Sequence, residues 1–154
     1  MSRSIRPMER RDISAVLVAW EHLCNDGTRA DPRFVIGDPE AMRWHMEGWF
    51  ELFLPFPAAF LAISDRGVVG WISGMPAQMP TMLTSPKTAR IGNLWVHPEH
   101  RRQGLAAELV AVWSTTVLAA GYERIEVGTL ALDERAVGFW KSQGFGDWRV
   151  TLAR

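Results

Sequence analysis

The chain predicts a mixed α/β fold, in which a mixed, mostly antiparallel sheet is flanked by about four helices. Three observations lead there. Apolar residues recur at helical spacing in four windows, short strand-like runs separate them, and the order of the two changes along the chain. Two helices precede a hairpin-like pair of strands, whereas later strand and helix alternate as in a βαβ unit. The first pattern favours antiparallel pairing and the second parallel pairing, so the sheet is mixed.

Residues 3–7 read as a first strand. Asp12 caps a helix whose Ile13, Val16, Leu17, Trp20 and Leu23 share one face, and Asn25-Asp26-Gly27 ends it. The polar stretch 28–37, broken by Pro32, is a loop. Asp38-Pro39-Glu40 opens a second helix with an Asp cap, a proline in the first turn and an acid at the positive end of the dipole. That helix carries Met42, Met46, Trp49, Phe50 and Phe53, and Pro55 and Pro57 stop it. Runs 58–63 and 68–73, joined by Asp65-Arg66-Gly67, read as a hairpin. Residues 75–86 are a loop rich in Pro, Met and Thr, and residues 87–96 form another strand. The helix that begins beyond Gly104 turns Leu105, Leu109, Val112, Trp113 and Val117 inward and ends at Gly121. A strand over 124–130, a helix over 133–143 and a strand over 148–152 complete the order.

A chain of 154 residues suits one domain, 1–154, large enough to bury a core without disulfides or metals. Lys plus Arg equals Asp plus Glu at 17 each, so no global basic field recruits nucleic acid or an anionic membrane. The single cysteine, Cys24, cannot form an internal disulfide and lies on the apolar side of its helix, which favours a reducing compartment and an inert thiol. Residues 1–12 hold no apolar signal region, and no window approaches 18 uninterrupted apolar residues. A soluble, cytoplasmic protein is expected. Four scattered histidines and one cysteine give no metal site.

Chemistry concentrates in two stretches. The first is Leu94-Trp95-Val96-His97-Pro98-Glu99-His100-Arg101-Arg102-Gln103-Gly104-Leu105-Ala106, a strand, a turn and the start of a helix. Such a junction aims N–H groups at one spot and suits phosphate, with Arg101 and Arg102 able to add charge and Gly104 letting a ligand approach the backbone. The same pattern also occurs as a plain structural junction. The second is Leu132-Asp133-Glu134-Arg135-Ala136-Val137-Gly138-Phe139-Trp140-Lys141-Ser142-Gln143-Gly144-Phe145, where Asp133 caps a helix, Ala136, Phe139 and Trp140 form an apolar ridge, and Gly144 ends it.

In this order, about 30 residues apart, the two stretches resemble the GNAT superfamily of acetyl-CoA-dependent N-acetyltransferases. The motifs cover about a third of the chain, and the inferred element order fits from end to end. The resemblance implies a GNAT-like sheet of about six to seven strands flanked by about four helices. It implies acetyl-CoA as co-substrate, with the pyrophosphate on Arg101, Arg102, Gln103, Gly104, Leu105 and Ala106 and the pantetheine arm along Leu94, Trp95 and Val96. Asp133, Phe139 and Trp140 would complete the coenzyme site, and a backbone N–H near Val96 would stabilise the oxyanion.

The proton-handling groups depart from the family pattern. Many relatives carry Tyr where Trp140 stands, and an indole N–H donates hydrogen bonds without serving as a proton source near neutral pH. Trp140 is then a group that packs on the coenzyme, or a core aromatic. Positions that hold a base in some relatives are here Gly92 and Arg90. Gly92 marks a bulge or a close ligand approach, and Arg90 reads as a substrate-carboxylate ligand or an exposed strand residue. Candidates for the base are Glu126, His45, Glu47 and Glu51. On the acceptor side, Trp44, Trp49, Phe50, Phe53 and Phe56 form a core ridge or an aromatic wall, and residues 75–86 lack the acidic cluster that a polycationic amine would need.

The expected function is transfer of an acetyl group from acetyl-CoA to a primary amine of a small molecule or peptide, by a monomer or a homodimer. A non-catalytic acetyl-CoA-binding sensor with the same fold is the alternative. Retention of Arg101, Gly104, Ala106 and Asp133 disfavours a coenzyme-free interaction domain.

Overall fold

The fold comes from a computed structural model, which describes residues 2–35, 37–53, 59–77 and 86–154. Strand β1 (Ser4–Pro7) leads through a short 3-10 turn into helix α1 (Ile13–Ala30), followed by α2 (Pro39–Phe53). Strands β2 (Ala59–Ser64), β3 (Gly67–Pro76) and β4 (Thr88–Val96) come next, then α3 (Leu105–Ala119), β5 (Arg124–Val127) and α4 (Glu134–Ser142). The sheet runs β1-β2-β3-β4-β5, antiparallel throughout except for the parallel β4–β5 pair. The architecture is the mixed sheet with four helices that the sequence predicts, with five strands among the described residues.

The missing strand is the one expected over 148–152. That segment is not in a ladder, and Trp148, Val150 and Leu152 are 57%, 82% and 89% exposed. Its apolar alternation has no covered face, and it touches β5 only through side chains. Arg124 lies over the Trp148 ring at 4.5 Å, and Arg149 pairs with Glu126 at 2.8 Å. A second difference lies in α1, which runs through Asn25-Asp26-Gly27 to Ala30. Phe34 explains the glycine: a Cβ on Gly27 would lie 3.1 Å from its ring. Asp12 stands at the start of α1 but makes no capping bond to it. Its carboxylate instead takes two hydrogen bonds of 2.8 Å from Arg6. Asp38 does cap α2, accepting from the Ala41 N–H at 3.1 Å.

Met75 and Pro76, expected in a loop, are the end of β3, and most of that loop lies outside the described residues, as do Pro55, Phe56 and Pro57. Trp44 leaves the expected aromatic ridge and is 77% exposed, while Met46 and Phe50 are buried.

Two apolar layers sandwich the sheet. One, under α3 and α4, gathers Phe60, Ile72, Ile91, Leu109, Trp113 and Trp140, and the other, under α1 and α2, gathers Val16, Met46, Phe50, Leu61, Trp71 and Trp95. A bulge joins the layers to the site. Ser73 faces Asn93 while Gly74 faces Ile91, so Gly92 is the extra residue on β4. One inserted residue resets the alternation, which is how both Ile91 and Leu94 reach the α3 side. Gly74 is required there, because a Cβ would sit 2.3 Å from the Trp113 indole and 2.4 Å from the Arg90 carbonyl.

Candidate coenzyme and acceptor sites

Strand β5 pairs with β4 only as far as Ile91 opposite Val127, so among the described residues β4 continues past its neighbour with a free edge. The His97 N–H donates to the Val69 carbonyl at 2.9 Å, which makes Val96 opposite Gly70 a pair that does not exchange hydrogen bonds. Alternation then turns the N–H and C=O groups of Leu94 and Val96 away from β3, toward the gap. Arg101 takes one of the four, with its Nε donating to the Val96 carbonyl at 2.9 Å. Trp95 differs from its neighbours. Its backbone faces Trp71 on β3, and its ring lies in the α1 layer, stacked on His22 at 6.0 Å. It does not line the gap with Leu94 and Val96.

The turn that follows ends in two left-handed residues. Arg102 has φ 60° and Gly104 φ 81°, and α3 begins at Leu105. The strain at φ near +80° is what glycine relieves. The first intrahelical bond runs from the Glu108 N–H to the Gly104 carbonyl at 3.0 Å, which leaves the N–H groups of Leu105, Ala106 and Ala107 outside the ladder. Together they form an anion nest at a helix start. Above Gly104 the space is open: the nearest side-chain atom to an added Cβ is Glu108 Oε1 at 4.0 Å.

The two arginines divide their work. Arg101 ties the turn to the fold, since it also pairs with Asp26 of α1 at 3.0 Å. The Arg102 side chain is exposed and, among the described residues, makes no ion pair. Gln103 donates to the Glu99 carbonyl at 3.0 Å and so braces the turn.

Helix α4 is held at both ends. Asp133 Oδ1 accepts from the Ala136 N–H at 3.1 Å. At the far end, Gly144 adopts φ 89°, its N–H donates to the Lys141 carbonyl, and the Phe145 N–H donates to the Trp140 carbonyl, each at 3.1 Å. This pair of bonds is a Schellman motif, and its apolar contact is Trp140 against Phe145, ring centroids 5.3 Å apart. Trp140 also meets Phe139 edge to face at 5.0 Å and is buried in the α3 layer.

Glu126 is buried on β5, directly opposite Arg90. Its Oε1 accepts from both Arg90 Nε at 2.7 Å and Arg149 at 2.8 Å, with a further short contact to Arg90 Nη2. One carboxylate oxygen is thus held by two guanidiniums, which anchors the Glu126 side chain between β4 and the segment that follows α4. Arg90 is correspondingly a partner of Glu126.

On the opposite face of the bulge lies a cavity of about 50 Å³. Its floor is Ser73, Gly74 and Asn93, with Asn93 Nδ2 donating to Ser73 Oγ at 3.2 Å. Its walls are Trp20 from α1 and His45 and Trp49 from α2, with the Trp20 and His45 rings 5.8 Å apart. Sequence reading did not assemble this cavity. Four elements contribute to it, and Gly92, His45 and Trp49 were each candidates in the sequence without being placed together. Burial raises the Cys24 thiol above its ordinary pKa, in keeping with an inert group. Among the described residues no cluster of His, Cys, Asp and Glu could hold a metal, and no helix is long and apolar enough to cross a membrane.

A free strand edge running onto an open helix N-terminus defines a protein able to hold an extended, amide-bearing chain that ends in an anion. The chain belongs to the acetyltransferase (GNAT) family, whose model matches residues 20–145. Two human proteins, N-acetyltransferase 8 and N-acetyltransferase 8B (Homo sapiens), are each 31% identical to it over 86 residues, 56% of this chain and 37% of theirs. The match therefore spans well under half the length of those curated relatives. Aminoglycoside N-acetyltransferase AAC(6')-Iy in complex with CoA shares the fold with a TM-score of 0.76 at 16% identity, over 99% of this chain and 94% of that one. A tetramutant of the BH1408 protein from Bacillus halodurans does so with a TM-score of 0.77 at 16% identity, over 98% of each chain.

Proposed function

We propose that this chain is an acyltransferase that moves the acetyl group of acetyl-CoA to a primary amine of a small molecule or peptide, by direct attack on the thioester. The observation that supports this most is the run of outward backbone groups at Leu94 and Val96, leading into the left-handed pair Arg102 and Gly104 and the open first turn of α3. These residues fit the coenzyme. The N–H groups of Leu105, Ala106 and Ala107 receive the pyrophosphate, Gly104 lets it approach, and Arg102 adds a charge-assisted bond. Leu94 pairs with the amides of the pantetheine arm as a strand would with an added neighbour. Asp133 and Phe139 border that arm from α4.

Bound acetyl-CoA supplies the acetyl group as a thioester, and the amine displaces the thiolate. The Val96 N–H donates to the carbonyl oxygen as negative charge develops there. A substrate ammonium must first lose its proton. Among the described residues lining the cavity, His45 carries the one basic side-chain nitrogen, and we assign it that proton in preference to Glu126, whose Oε1 is held by two arginines. Trp140 packs and does not act as an acid. The balanced charge and lone, half-buried Cys24 support a cytoplasmic protein that acts as a monomer or homodimer without nucleic acid or membrane.

The second reading, a non-catalytic coenzyme sensor, is favoured by one observation: an indole, Trp140, stands at the α4 position and donates hydrogen bonds without serving as an acid. Calorimetry with acetyl-CoA followed by thiol release against an amine panel separates the two. Binding with thiol release supports the acyltransferase, and binding without release from any acceptor supports the sensor. An absence of binding at near-millimolar coenzyme contradicts both.

A further inference from the structure

The cavity beside the bulge differs in chemistry from a site for polycations. Its side-chain lining is aromatic and thioether with small neutral groups: Trp20, Trp49, Met46, Met75, Ser73 and Asn93, with His45 at the side. Among the described residues, none that lines it is a carboxylate. The carboxylates that flank His45 and Trp49 on α2 are paired outside the cavity, Glu47 with Arg43 at 3.6 Å and Glu51 with Arg10.

Charge and the aromatic lining then select the acceptor. One ammonium can rest against an indole face without a carboxylate. Each further ammonium brought out of water would need its own counter-charge, and none is offered. The cavity, about 50 Å³, holds more than a single water, and its indole walls suit an apolar group. We infer that the acceptor is a monoamine whose amino group sits next to a compact apolar or aromatic group, held between Trp20 and Trp49. Aminoglycosides and polyamines are not substrates. This rests on the acetyltransferase reading and deepens its acceptor half.

The test uses the full chain saturated with coenzyme A for binding, and with acetyl-CoA for turnover. Calorimetry compares 2-phenylethylamine, spermidine and kanamycin, and thiol release gives kcat/KM for the same three. The expected result is at least tenfold tighter binding and tenfold higher kcat/KM for 2-phenylethylamine. Trp49→Ala raises its KM at least tenfold at unchanged KM for acetyl-CoA, and Trp49→Phe stays within threefold of the parent. Tighter binding of kanamycin or spermidine, or an unchanged KM in Trp49→Ala, overturns the acceptor class. Binding of 2-phenylethylamine without any thiol release leaves that class standing and overturns acetyl transfer instead.

Discussion

The two ends of the site are built in opposite ways. The proposed coenzyme end offers backbone groups from one continuous stretch, Leu94 to Ala107, shaped by two left-handed residues. The acceptor end uses side chains from α1, α2, β3 and β4 around a bulge. Backbone recognition depends on conformation, so glycine placement and turn order carry it. Side-chain recognition depends on which residues the fold brings together, and the same scaffold can therefore take different acceptors over one donor site.

The largest effect should come from Gly104→Glu. Left-handed backbone costs a non-glycine residue roughly 1–2 kcal/mol, and the new carboxylate would face the phosphates. Calorimetry should show acetyl-CoA affinity falling by about two orders of magnitude or more, a loss of roughly 2.7 kcal/mol or more, in a folded variant. Unchanged affinity would break the coenzyme half of the comparison.

His45→Gln sharpens the acceptor half. General-base removal costs on the order of 10² in kcat, and acetyl-CoA affinity should not change. Glu126→Gln is its counterpart and should leave kcat within about threefold on the same scale. A large loss in Glu126→Gln with none in His45→Gln would reverse the assignment.

Gly74→Ala tests the bulge that both ends share. A Cβ meeting Trp113 and the Arg90 carbonyl at 2.3 and 2.4 Å forces repacking. Overpacking of this kind costs about 1–3 kcal/mol, seen as a lower melting temperature. An unchanged melting temperature would mean the bulge is not the tight junction described.

The smallest effect lies outside both ends and serves as a control. Hydrogen bonds from Arg6, and secondarily one from the Glu9 N–H, hold the Asp12 carboxyl below its ordinary range. Its folded pKa is the lower one, so its contribution is fully present above the ordinary carboxylate value. That contribution is lost as pH falls through the folded value. Asp12→Asn should remove about 1.5–3 kcal/mol at neutral pH and flatten the acid limb of a stability–pH curve. Coenzyme affinity should stay the same.

Legibility followed the same division. The Arg102 to Ala106 turn could be read because glycine, turn and helix start are adjacent in the chain. Asp133 and Gly144 were likewise readable as the two ends of α4. Gly27 was misread as a helix stop because the reason for it, the Phe34 ring, is a packing contact. The apolar alternation of Trp148, Val150 and Leu152 resembled a strand, but periodicity cannot say whether a partner strand is present. Arg90 and Glu126 both looked available until the parallel β4–β5 pairing set them opposite each other. The acceptor cavity left almost no local trace, because Trp20 and Trp49 each also fit an ordinary helix core face.

Thiol release from acetyl-CoA in the presence of 2-phenylethylamine, with the amine product identified by mass spectrometry, tests the central claim most directly. The account predicts one N-acetylated amine for each thiol released. Coenzyme binding with no thiol above background hydrolysis, and no acetylated amine, would contradict it.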